Sequence, residues 1–256
     1  MKSFKKKQRE DKSNFDNFPA IGAIMVSKMI FDRNVKPGFM YRDKRIQPVD
    51  SGWRIFAGFE SEEYMDNPDN VAFYNPGTIL KIDSSLESIL LKGIGSVYER
   101  LEDGSEWYKV SDFEMETDYM VTHQLTNGWI IEINNLFERR VEENGNLLYT
   151  TGDKSVKLII WNQNEKSKEA IYNDHKLYID NRDQTLEKTL DIFDFSDEKV
   201  LRVGYLIQEQ DEDKSYNVMY GSSIIDNQVL EAALYFDDLE DLNWAIKTWK
   251  NIKIKY

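Results

Sequence analysis

Cysteine is absent from the 256 residues, which removes disulfides, thiolate metal sites and a cysteine nucleophile together. Histidine is scarce: His123 and His175 are the only imidazoles available for proton transfer near neutral pH. A Ser-His-Asp arrangement could be drawn with either, but no G-x-S-x-G elbow or other nucleophile signature accompanies them. Both read as surface histidines, with His175 in the polar loop context Asn-Asp-His-Lys. No apolar run approaches the roughly 20 residues that a membrane helix needs. The basic cluster Lys2, Lys5, Lys6, Lys7 and Arg9 is followed by Glu10, Asp11, Lys12 and Ser13, where a signal peptide would place an apolar stretch. Export by that route is not expected, and the cytoplasm is the default location. Gly93-Ile94-Gly95 lacks the third glycine and the strand-to-helix setting of a dinucleotide fingerprint, so it reads as a tight turn and no cofactor is expected.

Positive charge is in deficit. Forty-six acidic against 33 basic residues give a net charge of −13, which repels phosphate backbones and disfavours a nucleic-acid ligand. The same charge attracts basic proteins and speeds their association more than it adds affinity. A basic protein partner is therefore the expectation.

What the chain does contain is enough apolar material, 41%, for two cores, and its length favours two domains over one. The expected class is α+β, each domain a mainly antiparallel sheet with packed helices. Residues 1–18 are polar without periodicity and read as a loose tail. An amino-terminal domain over residues 19–114 begins with strands at 20–28, 38–42 and 52–58, bounded by Pro, Gly or Asp. Turn chemistry at 66–70 precedes a strand at 71–74, Pro76-Gly77 opens a helical turn, and Ser84 with Glu87 suggests a capping box for a helix through Leu91. Residues 96–101 and 106–110 flank Glu-Asp-Gly-Ser as a hairpin.

The acid-rich stretch 111–122 marks the boundary, and a second domain spans 120–256. Its expected strands are 128–136, 147–151, 156–163, 200–208, 216–225 and 229–236. Leu186, Leu190 and Phe193 recur at helical spacing and predict a helix over 185–195. The domain is expected to end in an amphipathic helix, with Asp238 as cap, Asp241 in the first turn and a stripe of Leu242, Ala245, Ile246 and Trp249. Trp53, Trp129, Trp161 and Trp249 lie in apolar patterns and read as core; Trp107 and Trp244 are less clearly buried.

Residues 51–70, SGWRIFAGFESEEYMDNPDN, carry a more specific signal. With Val26-Ser27-Lys28, Gly38, Tyr41-Arg42 and Gly95-Ser96, they resemble a bacterial immunity-protein family of polymorphic toxin systems, a former domain of unknown function, over about residues 24–110. Its pattern runs S-G-W-R-F-F-x-G followed by E-E-Y-x-D-D-P-x-N. Here Ile55 replaces an aromatic, Phe59 stands where an acid is common, and Asn67 replaces one Asp. The resemblance implies toxin neutralisation or a related binding role, and it brings no catalytic residues. The strands and terminal helix of the second half look somewhat like a Mog1/PsbP-type sandwich, which implies nothing about activity.

The candidate partner-binding residues are Glu60, Glu62, Glu63, Asp66 and Asp69, and a second acidic run at Asp237, Asp238 and Asp241 within residues 226–241, which hold no Lys or Arg. Ser51, Gly52, Trp53, Arg54, Gly58, Tyr64, Pro68 and Asn70 are taken as structural members of the motif. The acids could instead bind a hard cation or act as a glycosidase pair, but their spacing is not that of a calcium loop, and any acidic surface yields such pairs. The leading expectation is a non-catalytic binder of a toxin. A small-molecule or metal-dependent enzyme, and an adaptor without a toxin, stay open.

Overall fold

The computed structural model describes residues 18–101, 104, 106–185, 187–211 and 214–255. Apart from Phe18, which packs against the first core, the expected tail lies outside these residues. The chain divides into two compact units, Met1–Met115 and Glu116–Tyr256.

The first unit is α+β. Its strands are β1 (Ala23–Ser27), β2 (Phe39–Arg42), β3 (Asp50–Phe56), β4 (Val71–Tyr74), β5 (Val97–Arg100) and β6 (Trp107–Lys109), with helices α1 (Met29–Asp32), α2 (Glu62–Met65) and α3 (Pro76–Ile82). The sheet runs β4-β1-β3-β2-β5-β6, with only the β1/β3 pair parallel. β3 lies at its centre and is buried almost throughout. Val26, Ile55 and Met40 line up across three strands, and with Trp53, Leu80 and Leu90 they form a fully enclosed core. Each such side chain contributes about 1.5–3 kcal/mol by leaving water. Asn75 caps α3 through Gly77 N, and Pro76 fits the first helical position, as the Asn-Pro-Gly run suggests. The expected capping-box helix is absent. Asp83, not Ser84, caps a 3-10 turn at Ser84–Leu86, and a separate turn follows at Ile89–Leu91.

The second unit contains β7 (Met120–Gln124), β8 (Trp129–Asn134), β9 (Glu138–Val141), β10 (Leu147–Thr150), β11 (Ser155–Asn162), α4 (Lys168–Asp180), β12 (Thr189–Asp194), β13 (Leu201–Gln210), β14 (Ser215–Ile225), β15 (Gln228–Phe236), α5 (Leu242–Lys250) and β16 (Ile252–Ile254). A seven-stranded antiparallel sheet, β12-β13-β14-β15-β11-β10-β9, and a three-stranded sheet, β16-β8-β7, share one core with α5. Alternation explains the layering. Trp129, Ile131 and Ile133 of β8 and Leu206 of β13 enter that core, whereas Val203, Tyr205 and Ile207 face the opposite side, under α4. On the core side Trp249 lies so close to Gly204 and Gly221, paired across β13 and β14, that a Cβ at either position would collide with its indole. Its Nε1 donates to Ser223 Oγ at 2.9 Å.

Several expectations give way here. Residues 189–194 are the edge strand β12, not a helix, with Leu190 and Ile192 exposed; Leu186 lies outside the described residues. The helix is instead α4, whose mixed sequence buries only Ile171 and Ile179. α5 has the expected buried face of Ala245 and Trp249, but neither Asp238 nor Asp241 caps with its side chain, and β16 follows it. Trp161 is 36% exposed on β11 rather than core.

Candidate functional site

The amino-terminal motif is held by a buried ion pair. Arg54 Nη1 and Nη2 donate to Asp50 Oδ1 and Oδ2 at 2.9 and 2.7 Å, and both side chains are almost wholly enclosed. Residues four apart in a strand do not normally meet. They meet here because β3 advances four residues, Asp50 to Arg54, while β1 advances two. Gly52 makes this detour possible: its φ is +84°, and a Cβ there would strike the carbonyl of Asp43. Asp50 also accepts from Ile46 N and Gly52 N. Burial pushes its pKa up, but the Arg54 hydrogen bond, the two amides and the Arg54 charge outweigh it and hold the carboxyl below its ordinary value. Ser51 Oγ accepts from Trp53 N, and Trp53 Nε1 donates to Leu90 O at 3.0 Å. Asp50 was not singled out in the sequence; an acid four residues before the motif arginine, across a glycine, was the available signal.

The acidic half of the motif sorts into two groups. One group is internally engaged. The Glu60 carboxylate accepts Ala57 N and Gly58 N at 2.7 and 2.9 Å, closing the turn at Gly58 (φ +92°). Ser61 caps α2. Asn70 Nδ2 donates to Tyr64 O, Tyr64 Oη donates to Asn70 O, and Lys28 N donates to the same carbonyl, which ties the loop to the end of β1. Pro68 opens a 3-10 turn capped by Asn67.

The other group is Glu62, Glu63, Asp66 and Asp69. All four are exposed, and among the described residues none has a hydrogen-bond or ion-pair partner. Glu62 and Glu63 suit the first turn of a helix, but Glu62 and Asp66, four apart, repel one another. Two apolar side chains stand among them: Phe59, 55% exposed with the Arg33 guanidinium 5.9 Å over its ring, and Met65, 39% exposed.

The second acidic run is different. Lys214 Nζ lies 2.7 Å from Asp237 Oδ1, and Lys154 Nζ lies 2.6 Å from Asp241 Oδ1 and 5.6 Å over the ring of Trp244. Two lysines distant in sequence thus offset two of its charges; Asp238 stays exposed. Among the described residues no group of three or more His, Cys, Asp or Glu is placed to hold a metal ion, and no helix is long and apolar enough to cross a membrane.

His123 is partly buried, with Nδ1 3.1 Å from Tyr149 Oη and its ring stacked on that tyrosine at 5.5 Å. His175 lies on α4, not in a loop. Its Nδ1 is 3.1 Å from Ser222 Oγ and 3.2 Å from Glu231 Oε1, while Ser222 Oγ donates to the same Glu231 oxygen at 2.8 Å. A hydrolytic triad needs serine on one ring nitrogen and the acid on the other. Here both meet Nδ1 and each other, so the serine is not aligned for activation.

Residues 24–111, within the first unit, match the model of the Immunity protein Imm33 domain. No curated protein matches the chain by sequence. Among solved structures, the solution structure of cyanobacterial PsbP (CyanoP) from Synechocystis sp. PCC 6803 aligns with a TM-score of 0.41 at 5% identity, covering 57% of this chain and 97% of that one.

Proposed function

We propose that this protein is a non-catalytic immunity protein that neutralises a cognate protein toxin by stoichiometric binding, through Glu62, Glu63, Asp66 and Asp69 with Phe59 and Met65 among them. One observation carries the reading. Of the five motif acids, Glu60 closes a turn through two backbone amides, whereas among the described residues these four carboxylates have no partner and crowd one exposed loop with two apolar side chains. Carboxylates that repel each other in the free protein gain most when a basic surface meets them. Exposed aromatic and Met side chains supply the apolar anchors that interface centres favour. The complement is a basic toxin face, met in the cytoplasm. The run at Asp237, Asp238 and Asp241 is the weaker docking candidate, because Lys214 and Lys154 already answer two of its acids.

The test is binding kinetics against the protein that co-purifies with this chain from its native host. Association should slow markedly between low salt and about 0.5 M salt, with dissociation changing less. Replacing Glu62 and Glu63 by Gln and Asp66 and Asp69 by Asn should slow association similarly, while neutralising Asp237, Asp238 and Asp241 should not. Association indifferent to salt and to the first variant would sink this surface.

A further inference from the structure

The second unit holds a cavity of about 380 Å³ between α4 and the face of the long sheet opposite its main core. Cross-strand register builds its floor. Tyr205 lies opposite Tyr220 and Ser222 opposite Glu231, so all four project to one face. The two tyrosine rings stack at 5.3 Å. Asp174, His175 and Tyr178 of α4 complete the wall.

Glu231 is the group in this cavity without adequate compensation. Its Oε1 takes both the Ser222 hydrogen bond and the His175 contact, and among the described residues no Lys or Arg pairs with it. Burial pushes its pKa up, only partly countered by Ser222 and by the His175 charge. Asp174, the other acid in the lining, is already paired with Lys166 at 2.5 Å. No lysine or arginine lines the cavity. A desolvated carboxylate whose compensation is one hydroxyl and one imidazole on the same oxygen is stabilised when a permanent cation is supplied, and tyrosine rings beside it offer faces against which a cation packs. The unit already uses such a contact close by: the Arg182 guanidinium lies 4.4 Å over Tyr205.

We propose that this cavity binds a small organic ammonium cation, with its nitrogen at the Glu231 carboxylate and its hydrocarbon body against Tyr220 and Tyr178. The volume lies at the lower end of small-molecule sites, which suits a compact amine. The proposal involves the second unit alone and stands apart from toxin binding.

The experiment is a titration of the full chain with cyclohexylammonium chloride, and with neutral cyclohexanol of nearly the same shape, followed by calorimetry and amide chemical shifts. The ammonium should bind saturably with a Kd of roughly 1 mM or tighter, shifting the amides of His175, Ser222 and Glu231. Cyclohexanol, and the ammonium on a Glu231→Gln variant, should each bind about tenfold more weakly, as loss of one charge-assisted contact predicts. Should that variant fail to fold, the shift map and the cyclohexanol comparison on the natural protein decide. Absence of saturation, shifts lying elsewhere, or equal binding of cyclohexanol would overturn the proposal.

Discussion

Arg54 grips Asp50 through two hydrogen bonds of 2.9 and 2.7 Å inside the first unit, across a detour in β3 that turns on Gly52. Removing one partner leaves the other buried and unpaired. Asp50→Asn should cost about 3–5 kcal/mol in denaturant unfolding at neutral pH. The pH dependence has a definite sign. The folded-state pKa of Asp50 is held below 3.8, so its contribution is complete above 3.8 and is lost as pH falls below that value. The natural protein should lose stability more steeply below pH 3.8 than the Asn variant, and identical slopes would contradict the assignment.

Trp53 is fully enclosed and donates to Leu90 O, so it belongs to folding and not to recognition. Trp53→Ala should cost about 3–5 kcal/mol and lower the melting temperature sharply. Whatever variant protein is folded should still capture the toxin. A variant that melts like the parent yet no longer binds would make Trp53 an interface anchor.

Phe59 has the opposite profile, more than half exposed beside the unpartnered acids. Phe59→Ala should cost at most about 1 kcal/mol, because more than half of the residue is already exposed and the Arg33 contact is a surface one. Toxin dissociation should accelerate roughly tenfold or more if Phe59 anchors the interface. Unchanged dissociation would restrict recognition to the carboxylates.

The two units should fold separately, because each has its own sheet and its own core. Limited proteolysis should cut near Glu116, and fragments ending and beginning there should each give the circular dichroism of a folded protein. An unfolded amino-terminal fragment beside a folded whole chain would show that the units depend on each other.

The amino-acid sequence by itself determined the α+β class, most of the strands and the immunity-type motif. Strand positions such as 71–74 and 229–236 are legible because alternation and bounding turns are local properties. The sequence misplaced one helix for an equally local reason. Leu190 and Phe193 sit at a spacing that fits a helix, yet an edge strand with exposed apolar residues produces the same spacing. α4 buries only Ile171 and Ile179 along 13 residues, too few to make a visible stripe.

Tertiary structure alone decided which acids are available. Glu60 looks like its neighbours in sequence but closes a turn through two backbone amides. Asp237 and Asp241 lie in a run without basic residues, yet Lys214 and Lys154 reach them because β14 pairs with β15 and because β11, which follows Lys154, pairs with it too. Charge acts through space, with a range of about 10 Å in ordinary salt, whereas composition records it only along the chain. For the same reason the encounter of Asp50 with Arg54, and of Glu231 with His175, becomes visible only once bulge, register and helix packing have brought them together.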